Sequence, residues 1–475
     1  MYRQTYRAVD SMRRTQSKIP QGILFTLIVL LGCDGVFAAV PEEKHALTLQ
    51  EAVALALERN QQALIARAQV DAMKGRVREV RSQALPQITI YSNALRLRDP
   101  SFLNASSFDA IPPDIREGLV PRGANLFDYG ITVSQPLYTS GKVRTALQLA
   151  ALENNGVATD QIRTEQDVRL RTVHAFYDLL LAEDRLGVSR ETIQHRERQL
   201  ELARSRYQAG VATEVDVLRS QVSLANAQPE FIRAENGIRQ ARSVLNNLLV
   251  RPVDFPTQAN GQLIFIPWTR SDIQAIVQEA MAKRPELKRL KINEQEAEME
   301  LRLARAESGM RLDFNGSYGV QARDPANLTS RDFTRWIFSF NFTLPVFDGG
   351  KRSGLVEQAL AQQRIARLTR SAQEDVVRLE AQTALDDLER ASKTIEAARL
   401  NVQQAERVLE MMQNNYKYGA ATTLEVFDSQ LALVLARLTL LQGLYDHILA
   451  RAQLRFIMGE DPVEPPEATD AKSSQ

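Results

Sequence analysis

The chain has 475 residues with 59 basic and 58 acidic side chains, so it carries no net field that would hold a nucleic acid as partner. One cysteine and 4 histidines leave no disulfide framework and no Cys/His zinc site within one chain, and no metal or other cofactor is expected. Aromatic residues are only 6% of a sequence rich in Ala, Leu, Glu, Gln and Arg, which is the composition of long helices.

Residues 1–38 read as a secretory signal peptide. Arg3, Arg7, Arg13, Arg14 and Lys18 precede an apolar run over 22–32, and Val36, Phe37 and Ala38 form a small-residue cleavage pattern. The run is roughly half of the ~20 residues that a membrane-crossing helix needs. Leu30-Leu31-Gly32-Cys33 leaves a second reading open, a lipoprotein processing box that would make Cys33 an acylated N-terminus, although Leu31 fits it poorly.

Residues 39–249 form a first repeat: a helix, a β-hairpin and a long helical hairpin. Strand-like alternation runs over 87–98 and again through Phe127, Tyr129, Ile131 and Val133, whose neighbours Asp128, Gly130, Thr132 and Ser134 are polar or small. Between the two runs, residues 100–125 hold Pro112, Pro113, Pro121 and Gly123 and read as a surface loop. Residues 141–207 then contain no proline and as one helix would span about 100 Å. The tip motif Tyr207, Gly210, Ala212, Thr213 follows, and a returning helix runs to about Leu249. Residues 250–271 are a linker or equatorial segment, 272–458 a second repeat, and 459–475 a tail expected to be disordered.

The second repeat copies the first. Pro136, Gly141 and Lys142 recur as Pro345, Gly350 and Lys351, and Tyr207, Gly210 and Thr213 recur as Tyr416, Gly419 and Thr422, all 209 positions on (345 − 136 and 416 − 207). Upstream the offset is 224 (312 − 88), so the first repeat holds 15 extra residues (224 − 209), which fall in the 100–125 loop. The second long helix carries a seam spaced alternately four and three: Ala384, Leu388, Ala391, Ile395, Ala398, Val402, Ala405, Leu409, Met412, Tyr416. Its counterpart in the first repeat keeps the register with two polar intrusions, Ser189 and Arg196. This is coiled-coil packing.

Leu312, Phe314, Gly316, Tyr318 and Val320 alternate with polar residues, and so do Trp336, Phe338, Phe340 and Phe342. Each run is about ten residues, the length of a tilted strand crossing a bilayer. A half-buried soluble sheet shows the same alternation, but the chain is read as exported and no nearby helix offers a second layer. Four strands cannot close a barrel and an open edge in lipid leaves backbone groups unsatisfied, so copies must join. A dimer's eight strands would be filled by side chains, whereas a trimer's twelve leave a pore.

Further motifs are Leu47-Thr48-Leu49-Gln50-Glu51-Ala52-Val53 leading to Asn60, the strand exits Gln135-Pro136-Leu137-Tyr138 and Leu344-Pro345-Val346-Phe347, and the two tips. With these in a duplicated layout, the chain resembles the TolC-like outer membrane channel proteins of Gram-negative bacteria over nearly all of the mature sequence. The resemblance implies an α+β fold, mainly α, in which a homotrimer forms a periplasmic α-barrel and a transmembrane β-barrel of twelve strands, four from each chain. It implies an outer-membrane location with a large periplasmic portion, lipid around the barrel, and no enzymatic activity. Its implied partners are a periplasmic adaptor and, through it, an inner-membrane pump or ABC-type secretion transporter.

The resemblance also assigns residues. Gly210 and Thr213, and Gly419 and Thr422, match the turn positions that face the adaptor. Glu425 and Asp428, three apart on one helix face, match acidic positions ringing a closed periplasmic aperture, where six carboxylates per trimer would raise the pKa of some of them. Asp216 and Tyr416 match members of the network that holds the aperture shut. The arginine expected two residues after the tip glycine is replaced by Ala421, which puts that lock in doubt. Arg219 stands where the first repeat would copy Asp428, and either pairs with a nearby acid or is a surface arginine.

The function expected is a passive conduit for efflux or secretion. The alternatives are a type I protein secretion conduit specifically, or a periplasmic coiled-coil scaffold through which nothing passes. No nucleophile elbow, Walker loop or metal-ligand cluster supports an enzyme.

Overall fold

The structure, a computed structural model, describes residues 46–97, 112, 115, 124–270 and 272–463. The signal segment with Cys33, most of the 100–125 loop and the chain after 463 lie outside the described residues.

Helix α1 (Leu49–Arg59) opens with a reciprocal capping box between Thr48 and Glu51. Asn60 ends α1 and caps α2 (Gln61–Ser82), and its side-chain amide donates to the Leu248 carbonyl at 3.1 Å. Strands β1 (Gln87–Leu97) and β2 (Ala124–Tyr138) lead to α3 (Lys142–Gln208) and α4 (Glu214–Leu248). The second half repeats the order as α5 (Ile273–Lys283), α6 (Pro285–Ala306), β3 (Arg311–Ala322), β4 (Thr334–Thr343), α7 (Lys351–Lys417) and α8 (Thr423–Ile457). Both offsets read from the sequence recur in the elements. Helices α1 and α2 and strand β1 begin 224 residues before α5, α6 and β3, while α3 and α4 begin 209 before α7 and α8. The paired long helices are equal in length, 67 residues for α3 and α7 and 35 for α4 and α8.

Gly141 (φ 82°) and Gly350 (φ 89°) start the long helices from the left-handed region, which a side chain enters only under strain. On α7 the alternating seam is buried at Ala384, Leu388, Ala391, Ile395, Ala398, Ala405, Leu409 and Tyr416. On α3 it is buried at Ala175, Leu179, Leu200 and Ala203, half-buried at Ser189 and Arg196, and exposed at Tyr207. Each long helix packs on its returning partner to make a hairpin, and α3 of the first hairpin also meets α8 of the second. One core joins α1, α3 and α4 through Ala52, Phe176, Leu179 and Leu245, and its copy joins α5, α7 and α8 through Ile276, Leu388, Leu454 and Ile457. Each such leucine, isoleucine or phenylalanine contributes about 1.5–3 kcal/mol by leaving water.

Residues 250–270 have no helix or named strand, only a parallel bridge between Leu47 and Ala259. Of the tail expected to be disordered, residues 459–463 are described and are held in place: Arg455 donates to the Asp461 carbonyl at 2.7 Å and Arg169 forms an ion pair with Asp461.

The four strands form one antiparallel sheet in the order β1-β2-β3-β4. Strand β2 is 15 residues, longer than the ten or so expected, because it continues past a register shift at Pro136. The register places Ile88, Ile90, Tyr129, Ile131, Phe314, Tyr318, Trp336, Phe338, Phe340 and Phe342 on one face, and Thr89, Asn93, Asp128, Thr132, Asn315, Ser317, Gln321, Ser339 and Asn341 on the other. The apolar face is uncovered: Ile90 is 79% exposed, Trp336 65% and Phe340 67%. Among the described residues, β1 and β4 each keep one edge with no partner strand.

Candidate functional site

The ends of the hairpins far from the sheet are built alike. Gly210 (φ 73°) and Gly419 (φ 76°) end α3 and α7 in the left-handed region. The turn is closed by the Val211 N–H donating to the Arg206 carbonyl at 2.9 Å and by the Ala420 N–H donating to the Asn415 carbonyl at 2.8 Å. Three residues after each glycine, Thr213 and Thr422 cap α4 and α8 in capping boxes with Asp216 and Glu425. The repeated Gly and Thr therefore have a local cause: one ends a helix and the other starts the next.

The two tips differ where it matters. Tyr416 is 6% exposed and its copy Tyr207 48%. Arg206 donates to the Tyr416 carbonyl at 2.7 Å and lays its guanidinium over the Tyr416 ring at 4.6 Å. The Thr423 hydroxyl donates to Asp216 Oδ1 at 2.9 Å and lies 3.4 Å from the Tyr416 hydroxyl. Asp216 Oδ2 also accepts from the Thr213 N–H at 3.0 Å and its hydroxyl at 2.8 Å. Asp216 and Tyr416, paired by the sequence reading, are thus brought together through Thr423, with Arg206 clamping the tyrosine. Sequence reasoning missed both linkers. Their signal was a break in the repeat, since Thr423 replaces Glu214 and Arg206 is replaced by Asn415.

The acids are held in different ways. The Glu425 carboxylate turns back on its own helix start, accepting from the Thr422 N–H at 2.6 Å and hydroxyl at 2.9 Å. The Thr422 N–H, then its hydroxyl, lower the Glu425 pKa, which opposes the rise expected from crowding. The Asp216 pKa is lowered first by the Thr213 hydroxyl, with smaller help from the Thr213 N–H, Thr423 and the charge of Arg219. Asp428 and Arg219 are both exposed, and among the described residues neither has a hydrogen bond or a close ion pair, although the charge of Arg219 reaches Asp216.

Among the described residues no group of three His, Cys, Asp or Glu side chains could hold a metal ion. No described helix is long and apolar enough to cross a membrane.

Residues 52–250 and 276–460 match the outer membrane efflux protein family. The chain is 24% identical over 412 residues to outer membrane protein TolC of Vibrio cholerae, covering 85% of this chain and 89% of that protein. It is 22% identical over 335 residues to the alkaline protease secretion protein AprF of Pseudomonas aeruginosa, covering 69% of each. Its fold superposes on the CmeC outer membrane channel of Campylobacter jejuni with a TM-score of 0.77, at 17% identity over 88% of each chain.

Proposed function

The chain belongs to the outer membrane efflux protein family, and on that basis we propose that it is the outer-membrane conduit of a tripartite export system. It is an outer membrane channel with a large periplasmic portion and is not an enzyme. Three copies join their sheets into a barrel of twelve strands, and the hairpins continue the hollow into the periplasm. The observation that carries this reading is the sheet itself, apolar on one face, polar on the other and open at both edges. The tips dock a periplasmic adaptor through Gly210, Thr213, Gly419 and Thr422, and an inner-membrane pump or secretion transporter supplies the energy. The relative named for protease secretion supports protein export as a second reading of the cargo.

In this reading Asp216, Tyr416, Glu425 and Asp428 form the closed periplasmic aperture. Purified protein in planar bilayers tests it. Wild type is expected to form detergent-stable trimers with cation-selective conductance, and Glu425→Ala with Asp428→Ala to lose selectivity and block by multivalent cations. Unchanged selectivity and block would reject the acidic gate, and a monomer without conductance would reject the conduit. Replacing Gly210 and Gly419 by leucine strains each turn by about 1–2 kcal/mol. Normal trimers with failed export are expected from that variant, and normal export would reject the docking role.

A further inference from the structure

Above the tips, α4 and α8 each carry a further seam spaced four, three, four: Val215, Arg219, Val222, Asn226 on α4 and Leu424, Asp428, Leu431, Leu435 on α8. The five aliphatic residues are each between 52% and 58% exposed. This is the spacing a helix offers to a partner helix. Inside the protomer α8 meets its neighbours with other residues. Leu433 and Ala436 pack on Ala405 and Leu409 of α7, while Phe427 lies under Arg196 and Arg437 pairs with Glu191 of α3.

The two seams complement each other. Position by position, 209 apart, Val215 and Val222 match Leu424 and Leu431, Arg219 matches Asp428 with opposite charge, and only Asn226, against Leu435, breaks the aliphatic match. The hydrogen bond from Thr423 to Asp216 sets the starts of α4 and α8 beside each other, and both helices lead away from the tips, with Arg219 three residues beyond Asp216 and Asp428 five beyond Thr423. Nearby groups have other hydrogen-bond partners: Asp216, one turn before Arg219 and within reach of its charge, accepts from Thr213 and Thr423, Glu425 accepts from Thr422, and Arg206 donates to Tyr416.

We propose that the occupant of these seams is a second copy of this chain, with Arg219 of one protomer pairing with Asp428 of the next. Three such pairs hold the aperture shut and do the work of the arginine absent at Ala421. This rests on the trimeric conduit and names how its closed end is locked. The gate then has two layers, Glu425 at the rim and an alternating ring of Arg219 and Asp428 one turn above.

Charge reversal in the full-length channel tests the pairing. An exposed pair shifts an equilibrium about twofold and three act together, so Arg219→Asp or Asp428→Arg should each raise the closed-state conductance about eightfold. The double swap should return it to within about twofold of wild type. Additive leakage in the double swap, or no change in either single variant, overturns the pairing. Cysteines at 219 and 428, with single-cysteine controls to account for Cys33, give a second reading. Cross-linked dimers and trimers support a bond between protomers, whereas a link confined to the monomer, or none, overturns it. Wild type that neither conducts nor forms a trimer would instead remove the conduit reading.

Discussion

His447 is fully buried in α8, its ring 4.6 Å from that of Phe265 in the equatorial segment, and neither ring nitrogen has a hydrogen-bond partner. Burial, and then the charge of Arg451, push its pKa down from 6.5 to about 4. The unfolded chain takes up this proton near pH 6.5 and the folded chain only near pH 4, so stability is complete above pH 6.5 and falls as the pH drops towards 4. The first repeat has Ile238 at the equivalent place, also buried. His447→Ile is therefore expected to flatten the melting temperature of the solubilised protein between pH 7 and 5, where wild type declines. A decline as steep as wild type would show that other groups set the acid sensitivity. At the tips the residue scale was only partly legible. Thr422 followed by Glu425, and Thr213 by Asp216, are written in the sequence as capping boxes. The capping bond turns the Glu425 carboxylate onto its own helix start, which a match to gate positions does not reveal.

At the scale of elements, the α7 seam was readable because every step is apolar, and the burial follows it from Ala384 to Tyr416. The α3 seam is not so plain, since Arg196 stands where α7 has the buried Ala405. Its guanidinium lies 4.9 Å from the centre of the Phe427 ring, and Nη1 is buried without a partner beside a cavity of about 110 Å³ that Gln430 also lines. Burial lowers the Arg196 pKa, the mark of a cation held where water is scarce. Replacing such a group with a well-packed apolar side chain is often neutral or stabilising. Arg196→Met is expected to stabilise the solubilised protein by about 1 kcal/mol in a denaturant titration, and a loss of that size would mean the layer is better satisfied than its geometry indicates. The short helices α1, α2, α5 and α6 were less legible than the long ones. They are set by caps such as Asn60 and Asp272 and by contact with the long helices, and long-range contact leaves little trace in local periodicity.

For the whole molecule the decisive surface is the sheet, because among the described residues it has no second layer and both its edges are open. A protomer alone in lipid would leave the outer backbone groups of β1 and β4 unpaired, at several kcal/mol each, and only joining copies removes that cost. If the apolar face meets lipid and the polar face lines the pore, two adjacent residues of β4 must respond in opposite ways. Phe338 is 62% exposed on the apolar face, stacked near Phe314 with ring centres 6.2 Å apart. Ser339, the next residue, lies on the polar face opposite Asn315. Phe338→Arg puts a charge into lipid at a cost of about 2–4 kcal/mol per protomer near the midplane, multiplied over three copies. It is expected to remove the heat-sensitive trimer band from outer-membrane fractions. Ser339→Arg adds the same charge to the water-filled side, so the trimer should persist and its conductance shift towards anions. Equal loss of trimer in both variants would mean that the two faces meet similar surroundings, and would leave the sheet as a soluble layer.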